Sequence, residues 1–287
     1  MLKQPKKETM SLEQEFLNEL VDAIKNDRLT LPTLPEVALK IRDAVNDPDV
    51  NSSSLSGVIG QDAALAARII KVANSPLLRG AVVVDNLQLA ITRMGINFVR
   101  NLATGLAMEQ MFQATHDAVD IRLRKSWEHS LEVASISHVL ASHFTKLKPD
   151  QATLAGLVHE IGILPILTLA EENPQILEKE AVLDKIIDRL HGRVGQAIMR
   201  AWEFPEELLD VPLGCTDFKR DSGPVADYVD VVTVAKIQSF TEENTPYPNL
   251  DTSTIPAFAK LGLSGEVDVQ EVDELAEEMD EARQAFA

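Results

Sequence analysis

The segment from Ala152 to Leu167, ATLAGLVHEIGILPIL, is apolar throughout except for Thr153 and the adjacent pair His159 and Glu160. A stretch of this kind has to lie inside the fold, so the fold must carry an imidazole and a carboxylate into its interior. Burying both groups in an apolar helix is costly unless a metal ion, hydrogen bonds or an opposite charge compensates. The pair therefore points to a metal-binding site or to the remnant of one.

The chain has 287 residues, of which 45% are hydrophobic and 25% charged, enough for one large or two ordinary domains with a proper core. Aromatic residues make up only 5%, while Ala, Leu, Ile and Val recur at helical spacing, which predicts an all-α architecture rather than a sandwich or barrel. The net charge of −18 repels phosphate backbones and anionic lipid, so neither direct nucleic-acid binding nor membrane association is expected. Part of that charge is local: nine acidic residues and one arginine lie from Glu266 onward. The single Cys215 excludes an internal disulfide framework and suits a reducing compartment. The start, MLKQPKKETMSLEQEF, has basic residues without an apolar stretch behind them, and no uninterrupted apolar run reaches about 18 residues. A cytoplasmic protein is the expectation.

Leu12, Phe16, Leu20 and Ile24, at steps of four, predict an apolar stripe on a first helix behind a frayed tail. Leu31-Pro32-Thr33-Leu34-Pro35 cannot be helix interior, because proline lacks a donor and restricts its predecessor; a rigid elbow is predicted. Capping residues then announce short helices: Asn51 to Ser54 before Leu55, Asp62 before Ala63 to Ala73, and Asp85 before a helix that ends at Gly95. A further helix is expected from Asn97 to about Phe112, and a longer one from Trp127 with His129, Val133, Ile136 and Leu140 on one face. The buried segment containing His159 follows Pro149, then helices over 186–202 and 225–240. Beyond Pro246 a polar linker leads to an acidic segment whose Val269, Val272, Leu275, Met279 and Phe286 form a narrow apolar edge.

The order of these features resembles the HDOD family, the HD-related output domains of bacterial signalling proteins, which descend from HD metal-dependent phosphohydrolases. The amino-terminal hallmarks are LPTLPEVALKI at 31–41, GQDAALAARIIKVANS at 60–75 and LQLAITRMG at 87–95. WEHS at 127–130, AGLVHEIGIL at 155–164 and HGRVGQAIMRAWEFP at 191–205 continue the pattern. The resemblance implies an all-helical, two-lobed fold. An amino-terminal tail and helix (1–30) would precede an HDOD domain (31–224) made of a smaller lobe (31–115) and an HD-like bundle (120–224). A closing helix (225–245), then the linker and acidic helix (246–287), would complete the chain.

An HD phosphohydrolase holds its metal with a histidine, a His-Asp doublet and a distant aspartate, a mixed donor set suited to Fe, Mn or Mg. Here His129 and His159 resemble the first two ligands, but the doublet reads His159-Glu160, and Ile163 stands where related active enzymes carry lysine. At the position resembling the closing aspartate the chain reads Ala235-Lys236, and an ammonium cannot ligate a cation. His191 matches a histidine common in HDOD proteins and in HD-GYP phosphodiesterases, whose further His-His pair would fall near Gly214 to Asp217 and is absent. The expectation is a vestigial site of His129, His159, Glu160, His191 and Lys236, with no catalytic residue and no cofactor, the Lys236 ammonium either pairing with Glu160 in place of a cation or reaching out to solvent. A histidine on an apolar helix face is in any case more often a hydrogen-bonded core residue than a ligand. His116, His138 and His143 match no motif and are expected at the surface, while Trp127 and Trp202 are expected to anchor the core.

The implied function is non-catalytic signal transduction or scaffolding, in which the fold presents a groove between its lobes to a partner protein or small ligand. Asn74 and Ser75 are the preferred partner surface, although a simple helix stop explains them equally well. The alternative is a divergent phosphohydrolase acting on a nucleotide or cyclic dinucleotide through a divalent Fe, Mn or Mg held by His129, His159 and Glu160. A third reading makes the acidic carboxy-terminal helix an adaptor that engages a basic partner or its own body.

Overall fold

In the computed structural model of the chain, residues 31–78, 80, 82–240, 246–247, 250–263 and 273–287 are described, with isolated positions from Phe16 to Asn26. Helices are the regular elements among these residues and no strand occurs, as the composition predicts. The predicted first helix falls partly outside them; of its stripe, Phe16 and Leu20 are buried, and Leu12 and Ile24 are not described.

The amino-terminal lobe contains α1 (Glu36–Val45), α2 (Ser52–Ile59), α3 (Ala63–Ala73), α4 (Leu87–Met94) and α5 (Ile96–Ala107). Their starts follow the capping logic: Asn51 forms a reciprocal capping box with Ser54, and the Asp62 carboxylate accepts from the amides of Ala64 and Leu65. At α4 the cap is Asn86, which accepts from Leu89, not Asp85, because the chain enters the helix one residue later than predicted. Gly95, at φ 86, ends α4 and turns directly into α5.

The second lobe is organised around α6 (Asp117–Phe144), a 28-residue helix that begins ten residues ahead of the predicted Trp127. It packs on α7 (Pro149–Val158), and α8 (Ile163–Glu171), α9 (Pro174–Leu177), α10 (Glu180–Ala201), α11 (Val211–Gly214) and α12 (Tyr228–Gln238) complete the bundle. The apolar run does not continue as one helix through His159. Residues 159–162 form a turn that separates α7 from α8, so the His-Glu pair sits on a corner. By length and composition the Pro149–Glu171 segment could cross a membrane, yet 83% of its most apolar window is buried inside the bundle.

The two lobes share one continuous cluster of buried apolar side chains, with α5 laid on α7 across the seam. The Trp202 indole donates to the Pro32 carbonyl at 2.9 Å, tying α10 to the proline elbow, and Arg42 pairs with Glu203 at 3.2 Å beside it. Trp127 and Trp202 are both buried, as expected of core anchors.

The predicted polar linker is in part a packed element. Residues 264–272, which include Val269 and Val272, are outside the described set. Ahead of them α13 (Pro256–Lys260) packs on α12, burying Ile255, Ala257 and Phe258. Its Lys260 ammonium meets the buried Asp230 carboxylate at 3.1 Å, an attachment that the surrounding Asp, Thr and Pro residues hide from a hydropathy reading. The acidic α14 (Asp273–Phe286) lies on the body through Met279, Ala282, Ala285 and Phe286.

Candidate functional site

Glycines set how closely the helices of the second lobe approach. A Cβ on Gly156 would meet the Ala134 Cα at 2.5 Å, so α7 touches the backbone of α6 directly. A Cβ on Gly162 would collide with the His191 carbonyl, so the turn after α7 rests on the backbone of α10. These two approaches bring His129 of α6, His159 and Glu160 of the turn and His191 of α10 toward one interior region.

The His129 and His159 rings lie 5.4 Å apart in an edge arrangement. Glu160 Oε1 is 3.9 Å from His129 Nε2 and 3.8 Å from His159 Nε2, and its Oε2 accepts from the Ser126 hydroxyl at 2.7 Å. Donor atoms of His129, His159 and Glu160 all lie within 4.8 Å of one another; His191 is not part of that group. His159 is fully buried, whereas the side chains of His129 and Glu160 retain 17% and 14% exposure. Phe240, just past α12, stacks on the His129 ring at 4.9 Å, and Tyr247 stands edge-on to Phe240 at 6.1 Å.

Backbone carbonyls settle the tautomers. His159 Nδ1 lies 2.7 Å from the Gly156 carbonyl and His191 Nδ1 lies 2.8 Å from the Ile187 carbonyl. A carbonyl only accepts, so each Nδ1 carries the proton and each neutral ring keeps its lone pair on Nε2. The Nε2 atoms of His129, His159 and His191 are buried without a hydrogen-bond partner among the described residues. Burial pushes His159 down to about 3, and it also lowers His129 and His191, so the imidazoles are neutral at ordinary pH.

Lys236 of α12 is buried at 5% exposure. Its field acts on His129, His159, His191 and Glu160 alike, so the ammonium belongs to this interior rather than to solvent. Burial works to raise the Glu160 carboxyl; His159 and His129 oppose it in the acid range where their own rings are protonated, and Lys236 and the Ser126 hydroxyl add to this, so the carboxyl stays below the usual carboxylate range. Burial likewise opposes the Lys236 charge, yet Lys236 is raised overall: the Cys215 sulfur favours the ammonium only once ionised, which burial of the thiol pushes to higher pH, and the Glu160 carboxylate favours it at ordinary pH. The expected direct pair is not formed: no ion pair or hydrogen bond joins Lys236 to Glu160 among the described residues, because Glu160 turns to Ser126 and the imidazoles instead. One negative and one positive side chain therefore lie in the same region of the interior with no ion pair between them.

Of the set predicted from the sequence, His129, His159 and Glu160 are gathered within 4.8 Å of one another, while His191 lies outside that group and Lys236 joins it through no ion pair or hydrogen bond among the described residues. Ser126, Phe240 and Tyr247 were not singled out; Ser126 precedes His129 by three residues on the same helix, a spacing that puts both on one face. Asn74 and Ser75 have internal duties. The Asn74 amide donates to the Val84 carbonyl at 2.7 Å and accepts from the Val84 amide at 2.8 Å, clamping the loop ahead of α4. The Ser75 hydroxyl donates to the Val72 carbonyl. His138, expected at the surface, is buried between Phe98 and Phe286 and bonded to Thr153, because it faces α5 and α14 across the lobe seam.

The HDOD domain pattern matches residues 31–213. A solved structure from Shewanella amazonensis, provisionally named a metal-dependent phosphohydrolase, is 34% identical, covers 97% of this chain and 100% of its own, and has a TM-score of 0.86. An HDOD domain protein of unknown function from Geobacter sulfurreducens shares the fold at 24% identity and a TM-score of 0.66, covering 95% of this chain and 97% of its own. A curated protein of Treponema pallidum, described only as uncharacterized, is 24% identical over 243 residues, a match that takes in 79% of this chain. This chain spans 46% of that relative's length.

Proposed function

The chain belongs to the HDOD family, and from that membership we propose that it is a cytoplasmic signalling or scaffold module that acts by binding a partner and does not hydrolyse phosphoesters. The observation that carries this reading is the buried ammonium of Lys236 inside the HD-like cavity. A divalent ion in an HD site would supply a Lewis acid and an activated water. His129, His159 and Glu160 are the residues that would hold it, and they do not fit a resident one well. They offer a single carboxylate, whose charge is already balanced by Lys236, so an added dication would be buried with uncompensated charge. What the residues do instead is structural: Gly156 and Ile187 carbonyls orient His159 and His191, Ser126 anchors Glu160, and Phe240 covers His129. The bundle keeps its shape and offers that shape for recognition.

One observation favours the alternative, a divergent metal-dependent phosphohydrolase: the Nε2 atoms of His129, His159 and His191 have no hydrogen-bond partner among the described residues. Metal analysis of protein purified without chelators, combined with Mn- and Mg-supplemented assays on aryl phosphates, nucleotides and cyclic dinucleotides, separates the two. The binding reading expects substoichiometric metal and no turnover. One tightly held ion per chain, with turnover abolished by EDTA and by His159→Ala, would overturn it.

A further inference from the structure

We propose that Lys236 is a charge lock on a latent metal centre: by geometry His129, His159 and Glu160 can hold a divalent ion, and the one buried ammonium beside them keeps it out. The proposal rests on the non-hydrolytic reading above and names the single residue on which metal exclusion depends. The donors are already in place. His129 Nε2 and His159 Nε2 stand 3.9 and 3.8 Å from Glu160 Oε1, too far for hydrogen bonds. Two donors bonded to one ion at about 2.0 to 2.2 Å lie roughly 3 to 4 Å apart, so this is a ligand spacing. The Gly156 carbonyl fixes His159 with its lone pair on Nε2, and the Ser126 hydroxyl takes Glu160 Oε2 and leaves Oε1 to the imidazoles. The two Nε2 atoms are buried and make no hydrogen bond among the described residues. Bare lone pairs are costly to bury in a purely structural pair of rings, and they are what an ion such as Zn2+ or Co2+ takes.

Charge opposes what geometry permits. α12 is buried along nearly its whole length, and Lys236, near its end, is enclosed with the rest. The helix packs on both α6 and α7. Phe240, four residues beyond Lys236, stacks on the His129 ring at 4.9 Å, and the Ser239 amide still bonds back to the Ala235 carbonyl. Residues four apart on a helical turn share a face, so Lys236 leaves α12 on the His129 side. Its positive charge accordingly disfavours protonation of His129, His159 and His191. Among His129, His159, Glu160 and Lys236 the charges cancel. A dication would leave two positive charges in a low-dielectric interior and would be repelled by the ammonium. Without the lysine the same ion would leave one, and with a carboxylate in place of the lysine, none.

A charge series at this position tests the lock by Co2+ titration of chelator-treated protein, read by visible absorption and by metal content per chain. Wild type and Lys236→Arg, which keep the positive charge, are expected to bind equally weakly. Lys236→Met should bind Co2+ at least about 100-fold more tightly, and Lys236→Glu at least about tenfold more tightly still. The bound ion should raise the thermal unfolding midpoint of Lys236→Met, and adding His159→Ala should abolish both effects. Lys236→Arg matching Lys236→Met would show that side-chain shape, not charge, excludes the ion and overturn the proposal. Wild-type affinity equal to that of Lys236→Met would do the same, and binding that survives His159→Ala would place the ion elsewhere. Should Lys236→Met not fold, Lys236→Glu prepared in Co2+ carries the test, because its charges cancel once the ion is bound. No folded, metal-bound protein from either variant overturns the proposal. The binding reading fails on turnover by the wild-type chain and the lock fails on Co2+ affinity, so each can fail alone.

Discussion

Helix α6 serves two interior surfaces that handle charge in opposite ways. Toward α7 and α12 it presents His129 to an interior that holds the half-buried Glu160 and the buried Lys236, with no ion pair between them among the described residues. Toward α14 it presents His138 to an apolar seam and keeps its ion pairs, His143 with Glu278 and Glu132 with Arg283, at the exposed rim. Charges enclosed in the first region depend on each other through a low-dielectric interior, whereas those at the rim are screened by water. The enclosed charges are therefore costly to alter, and the rim pairs are cheap to remove.

The comparison can be broken at its strongest point first. Lys236→Met removes a buried charge that helps hold Glu160 ionised and should destabilise the chain by about 1 to 3 kcal/mol in denaturant unfolding. The Glu160→Gln, Lys236→Met double variant should regain much of that loss. A single-variant loss no larger than a rim substitution would mean that the cavity charges are solvated after all. Comparable in size is Gly162→Ala, whose methyl group must force the turn off the His191 carbonyl, at an expected cost of about 2 to 3 kcal/mol. Loss of that contact should also disturb the ring environments of His159 and His191 in NMR spectra.

Acid should sharpen the contrast from the α14 side. Burial first, and the charge of His143 second, lower His138 from 6.5 to about 4. Between these values the unfolded chain takes up a proton that the folded chain refuses, so stability falls as pH drops through this window and is recovered above it. The expected contribution is about 1.4 kcal/mol per pH unit at most. His138→Gln, which can still donate to Thr153, should flatten the slope by one proton, and an unchanged slope would show that the ring protonates in place. The smallest effect is expected for Arg283→Ala, at or below about 0.5 kcal/mol, because the Glu132 pair is exposed. A loss several times larger would show that the rim, rather than the buried edge, holds α14.

Much of this architecture was legible along the chain. Asn51 and Asp62 announce α2 and α3, Gly95 ends α4, and Trp127 and Trp202 sit in the core as their size and polarity predict. The break at His159 was not, since nothing in GLVHEIGIL except Gly162 interrupts an apolar helix. Only the closeness of α10 explains why that residue must be glycine. Reading Lys236 as a partner for Glu160 went astray for a related cause: helical spacing says which way a side chain leaves its own helix, not which acceptor it reaches. The packed α13 escaped notice because its anchor is an ion pair to Asp230 within a polar stretch.

Composition and periodicity determined the helical class, the buried apolar segment and the identity of the residues with chemistry to offer, since these depend on neighbours a few positions away. Tertiary structure decided that His129 and His159, thirty residues apart, share one interior with Glu160 and Lys236, and that α14 packs on elements of both lobes. Distances between helices follow from how side chains and bare glycine backbone pack against one another, and that sum over many long-range contacts is not written at any single position of the chain.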